Sequence, residues 1–97
     1  MKIRLLPSAV RDLDEIDAYV TDNFGSAVAD RTLARLFETF QRLAEFPNMG
    51  STRTDVTRRP VKFFLAKPYW IVYEFVDPFT VHRVYHAARD LARLPKS

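Results

Sequence analysis

Apolar and polar positions along the chain change period twice, and each change marks a different kind of element. In residues 2–6, Ile3 and Leu5 alternate with Lys2 and Arg4, the period of a strand. Pro7 closes that run because it lacks a ladder donor. From Ser8 the spacing lengthens to a helical one. Val10, Leu13, Ile16, Tyr19 and Val20 make one stripe and predict a helix over about residues 8–23. Ser8 is the expected N-cap, with Asp12, Asp14 and Glu15 close to the positive end of the helix dipole. The pattern breaks at Asp22-Asn23-Phe24-Gly25-Ser26. Gly25 suits a left-handed helix end and Ser26 a new cap. A second stripe follows, Ala29, Leu33, Leu36, Phe37, Phe40, Leu43 and Ala44, running to about Phe46 and stopped by Pro47. So short a link between two helices predicts an antiparallel hairpin. Arg31, Arg35, Glu38, Gln41, Arg42 and Glu45 fall away from the stripe and read as a solvated face.

Residues 47–58 are polar, opening on Pro and Gly, and read as a loop. Three strand-like runs come next: Val61 to Ala66, Tyr69 to Val76 and Phe79 to His86. Links of two residues, Lys67-Pro68 and Asp77-Pro78, permit only antiparallel hairpins, so the runs predict a meander. Alternation puts Val61, Phe63 and Leu65 opposite Lys62, Phe64 and Ala66, and Tyr69, Ile71, Tyr73 and Phe75 opposite Trp70, Val72, Glu74 and Val76. Both faces are apolar. One is expected to pack on the helical hairpin, the other to be covered by a partner or the tail. Ala87 to Leu94 predicts a short C-terminal helix. The order is strand, two helices, three strands, and segregation of helices from a mainly antiparallel sheet defines an α+β fold.

Composition narrows the class. Ninety-seven residues, 47% of them hydrophobic and 28% charged, suit one domain over residues 1–97 and argue against disorder. No apolar run reaches about 18 residues, so no membrane segment is expected, and the N-terminus lacks the apolar core of a secretory signal. Cysteine is absent, which excludes disulfide and thiolate-metal scaffolds and fits a cytoplasmic protein. Charge is uneven: residues 1–46 carry net −2 and residues 47–97 net +5. A basic second half suits an anion or an acidic partner.

Candidate chemistry is sparse. His82 and His86, four apart in a strand, lie about 13 Å apart at roughly 3.3 Å per residue, too far to chelate one ion. No metal site and no cofactor are expected. No phosphate loop, dinucleotide fingerprint or nucleophile elbow is present. His86 sits at a strand end beside Arg89 and Asp90, a position open to acid–base or anion contact. Arg53, Arg58, Arg59, Lys62 and Lys67 form a basic run opposed only by Asp55, followed closely by Tyr69, Trp70 and Tyr73. Guanidinium groups interleaved with rings suit nucleic acid, and equally an acidic protein partner.

The ordered set of these pieces resembles a known superfamily. Its parts are the opening strand with Pro7 and the block Ser8 to Ile16, Leu43 to Gly50, the Arg59 strand, Tyr69-Trp70-Ile71-Val72-Tyr73, and Arg83 to Asp90. Together they resemble the RelE/ParE toxins of type II toxin–antitoxin modules. The Phe-Pro-x-x-Gly loop and the closing His-x-x-Arg-Asp are closer to the ParE branch. The resemblance implies a helical hairpin packed on a curved sheet, and a cognate antitoxin as partner. It implies either inhibition of DNA gyrase, without enzymatic turnover, or ribosome-dependent cleavage of mRNA. An antitoxin-binding module of weak toxicity is a third reading. A nuclease would use His86 as acid or base, with Arg59 and Arg53 as phosphate stabilisers. The lysine-poor array, and the lack of a tyrosine after Tyr85, favour the gyrase reading. The target or partner contact set is Arg53, Arg58, Arg59, Lys62, Lys67, Tyr73 and Arg89. A homodimer, or a heterotetramer with the antitoxin, fits the apolar sheet face.

Overall fold

The computed structural model describes residues 2–52 and 59–89. It has the expected α+β order: β1 (Ile3–Leu5), α1 (Pro7–Phe24), α2 (Ser26–Glu45), a short 3-10 turn (Pro47–Met49), β2 (Lys62–Ala66), β3 (Tyr69–Glu74) and β4 (Phe79–His86). The meander β2–β3–β4 is antiparallel as its short links require. The peptide bonds before Pro68 and Pro78 in those links are cis. The sheet order is β1-β4-β3-β2, and β1 lies parallel to β4, pairing Ile3 with Phe79 and Leu5 with Val81. The first strand thus completes a mixed sheet against the last. Of the expected C-terminal helix, residues 87–89 form a turn and the rest lies outside the described residues.

Several local expectations shift by small steps, each with a reason. The first helix begins at Pro7, with Leu6 as N-cap, because Pro is preorganised for the first helical position and its missing N–H is not needed there. Ser8 therefore does not cap. Its hydroxyl donates instead to the His82 carbonyl at 2.7 Å. Gly25 alone joins the helices at φ 91°, where an L side chain is disfavoured. Its N–H caps α1 on Thr21, and its carbonyl accepts the Ala29 N–H of α2. Ser26 is thus already helical and makes no side-chain cap.

The main core lies between the hairpin and the sheet. Helix α1 contributes Ala9, Leu13, Ile16 and Val20, and α2 contributes Ala29, Leu36, Phe40, Leu43 and Ala44. Val10, Tyr19 and Phe37, placed in the stripes by periodicity, are each more than 40% exposed, because the buried arc is narrower than the apolar one. On the opposite face of the sheet Val61, Phe63, Val72 and Tyr85 form a second buried cluster flanked by Trp70.

Strand β4 carries a bulge. Val72 pairs with Arg83 but Tyr73 pairs with Val81, which leaves His82 as the extra residue. Phe79 and Val81 face the main core, and strict alternation would drive Arg83 in after them. The bulge changes the phase so that Val84 enters the core and Arg83 stays out of it.

Candidate functional site

Two recesses flank the sheet, one on each side. The outer recess, about 420 Å³, is lined by Ser8, Arg59, Val72, His82, Arg83 and Tyr85. Its charged groups are bound into the fold. Asp12, on the buried arc of α1 and 4% exposed, accepts Arg83 Nε–H at 2.7 Å and Nη2–H at 2.9 Å. It also accepts the Val84 backbone N–H at 2.9 Å. This two-pronged pair, with the Ser8 bond one turn earlier, fastens α1 to the β4 bulge. The hydrogen bond it donates to Asp12 holds the Arg83 guanidinium above its usual range, against the opposing effect of burial. The same guanidinium lies 4.6 Å from the centre of the Tyr85 ring. His82 Nε2 meets Glu74 Oε1 at 3.0 Å.

The inner recess is a groove of about 500 Å³ between the α1–α2 elbow and the β2–β3 turn. Val20, Val28 and Tyr69 belong to its lining, with Tyr19 and Phe24 as exposed apolar walls. Arg31 and Arg35 of α2 line it too, and Arg35 donates to the Lys67 carbonyl. His86 lies in this groove, its ring edge-to-face with Tyr69. His86 Nδ1 accepts the N–H groups of Ala88 at 3.3 Å and Arg89 at 2.9 Å. The proton of the neutral ring is thereby placed on Nε2. Arg89 sits 4.2 Å over the Tyr19 ring.

The contact set expected from sequence is therefore distributed, not clustered. Arg53 and Arg58 lie outside the described residues. Arg59 lines the outer recess and His86 the inner one, so the fold separates this histidine from this arginine by the thickness of the sheet. Lys62 is half-buried opposite Tyr73, while Lys67 and Arg89 are exposed. Tyr73, expected as a contact residue, is instead a core residue with no exposed surface. Its hydroxyl donates to the Pro47 carbonyl at 2.6 Å and accepts the Gly50 N–H at 3.0 Å, which ties the loop after α2 to the sheet. Burial pushes the Tyr73 hydroxyl up from the usual tyrosine range, partly opposed by the Gly50 bond.

Four residues of these recesses escaped the sequence reading. Arg31 and Arg35 read as solvated because they fall off the apolar stripe, yet they stand beside the groove. Asp12 and Arg83 are 71 positions apart, and nothing local links them. One signal was available: Asp12 sits beside Ala9, Leu13 and Ile16 on the buried arc, and a carboxylate there needs a partner.

Comparison with known proteins begins at the fold. A chain from the solved chromosomal ParDE system of P. aeruginosa superposes with a TM-score of 0.73 at 19% identity, covering 89% of this chain and 95% of that one. The two chains thus share one small α+β architecture. The family described as the ParE toxin of the type II toxin–antitoxin system parDE matches residues 3–91, and the chain belongs to that family. Toxin ParE3 of Caulobacter vibrioides is 37% identical over 62 residues, 64% of this chain. The match spans 61% of that relative's length. No helix among the described residues is long and apolar enough to cross a membrane.

Proposed function

We propose that the chain is the toxin of a type II pair, that it inhibits DNA gyrase by binding rather than by turnover, and that a cognate antitoxin neutralises it in the cytoplasm. The family match over residues 3–91 carries this reading. The disposition of charge supports it over cleavage of mRNA. Attack by a ribose hydroxyl needs a base and unpaired cations converging on one phosphate. Here His86 and Arg59 line recesses on opposite faces. Nδ1 of His86 is taken up by two backbone N–H groups, and Arg83 and His82 face Asp12 and Glu74.

The test is a cleavage assay with the purified chain, gyrase, ATP and supercoiled plasmid, scored for linear DNA after protease treatment. Linear DNA that accumulates, and that is suppressed by the antitoxin, is the expected result. Unchanged supercoiling with no linear product overturns the gyrase target, and ribosome-bound mRNA becomes the substrate to assay. Antitoxin binding without either effect would leave the chain as a binding module.

A further inference from the structure

Cations and rings converge in the inner groove. Arg31, Arg35 and His86 belong to its lining, and no carboxylate does among the described residues. Arg31 forms no ion pair among those residues, and Arg35 donates to the neutral Lys67 carbonyl. Two aromatic walls stand open to solvent: Phe24 is 64% exposed and Tyr19 is 44% exposed. Arg89, 4.2 Å from the centre of the Tyr19 ring, brings a third guanidinium to this wall. The hairpin's other groove is the contrast. It is about 200 Å³, runs past Val10, Leu33 and Phe37, and takes its charge from Asp14 and Asp17.

We infer that the inner groove binds a short single strand of nucleic acid, with phosphates on Arg31 and Arg35 and bases against Phe24 and the Tyr19–Arg89 stack. The inference goes beyond inhibition of gyrase and does not depend on it. Three features define the ligand. The walls are too exposed to enclose a small anion, so binding must be gathered along a chain of charges. Single-strand sites combine this kind of cationic track with rings on which any base can stack. A duplex keeps its base faces inside its own stack, and Phe24 would gain nothing from it. An acidic peptide would satisfy the arginines equally, but a flat base also suits the ring–guanidinium layer of Tyr19 and Arg89. Spacing agrees with a strand. Arg31 and Arg35 are one turn apart, about 6 Å along the axis at 1.5 Å per residue, within reach of neighbouring phosphates. The wall from Val28 to Arg35 is about 10 Å long by the same rise, which spans about three stacked nucleotides at 3.4 Å each.

The experiment uses the full chain and fluorescence anisotropy of labelled oligothymidine and oligouridine of about eight nucleotides, within the usual span of single-strand sites. Titrations run from about 50 to 200 mM salt. Binding of either strand, and weaker binding of a duplex of equal length, is the expected result; preference for one strand names the sugar. Arg31→Gln/Arg35→Gln should flatten the slope of log affinity against log salt by about 1.4, because each phosphate contact on a single strand contributes about 0.7. Phe24→Ala should weaken binding about tenfold with the slope unchanged, the mark of a lost stacking surface. Phe24→Trp keeps a π-face, and should hold or tighten binding. Unchanged melting temperatures exclude a folding cause for any of these losses. Phe37→Ala, in the acidic groove, should stay within about twofold of the unmodified chain. Failure of both strands to bind overturns the inference, as does binding that neither groove variant alters. Duplex bound as tightly as single strand, with Phe24→Ala silent, reduces the groove to bare charge and overturns it too. Tighter binding of a polyglutamate of equal charge assigns the groove to an acidic peptide instead. Gyrase inhibition is scored separately, so each of these failures leaves that reading standing.

Discussion

Arginine lines both recesses, but to different ends. In the outer recess Arg83 is turned back onto Asp12, His82 meets Glu74, and Ser8 closes on the bulge carbonyl. In the inner groove Arg31 and Arg35 project from an exposed helix face beside uncovered apolar rings. The difference teaches that a concave surface with cations is not by itself a binding site. What matters is whether the charges are already satisfied within the fold. The outer cations hold two elements together, whereas Arg31 in the inner groove forms no ion pair among the described residues. Removing the former should therefore cost stability, and removing the latter should cost recognition.

The largest expected effect breaks the comparison at its structural side. Asp12→Ala leaves the Arg83 guanidinium and the Val84 N–H without their acceptor, and should destabilise the chain by about 3 kcal/mol. Urea denaturation checks this, and a loss under about 1 kcal/mol would show the clip to be incidental. Gly50→Ala comes next. A Cβ there would lie 2.2 Å from the Tyr73 hydroxyl oxygen, so the ring or the loop must move, at a cost of about 2 kcal/mol by the same measurement. Tyr73→Phe removes both bonds of that hydroxyl and should cost about 1.5 kcal/mol.

The same hydroxyl gives a pH dependence with a definite sign. Its pKa is raised on folding, so the folded chain holds the proton more tightly than the unfolded one. The contribution is intact below about pH 10, the ordinary tyrosine value, and is lost as pH climbs from there through the folded value. Denaturation midpoints measured from pH 9 upward should fall more steeply for the unmodified chain than for Tyr73→Phe. The smallest effect lies on the recognition side. Arg31→Gln should change stability by less than about 0.5 kcal/mol, since its side chain is exposed and forms no ion pair among the described residues. A large loss of stability there would erase the distinction between the two recesses.

Local pattern made the helices and the meander legible. Leu36, Phe40 and Leu43 recur at helical spacing, and links of only two residues (67–68) and four residues (75–78) leave β2, β3 and β4 no other arrangement. Features that depend on distant partners were not legible. The parallel pairing of Ile3 with Phe79 joins the two ends of the chain. The His82 bulge is visible only through the phase it imposes on Val84. Tyr73 looked like a contact residue because aromatics beside a basic run suit nucleic acid, whereas its place on the inner face at β3 made it core. The candidate site was legible as a set of residue types but not as a place. Arg59 and His86 belong to one basic, aromatic half of the sequence, yet the sheet holds them on opposite sides.

The parallel pairing of β1 with β4 also sets the order in which the molecule can be assembled. Among the described residues Ile3–Leu5 has β4 as its only neighbour in the sheet, and β4 itself is a middle strand. A nascent chain that has made the helical hairpin but not yet Phe79–His86 lacks the strand with which its first strand pairs. It also lacks Arg83 and Val84 to receive Asp12. Closing that long separation is slow relative to local helix formation. Both recesses draw residues from β4, so neither surface exists in finished form until the last strand is in place. A chain interrupted before Phe79 would lack both.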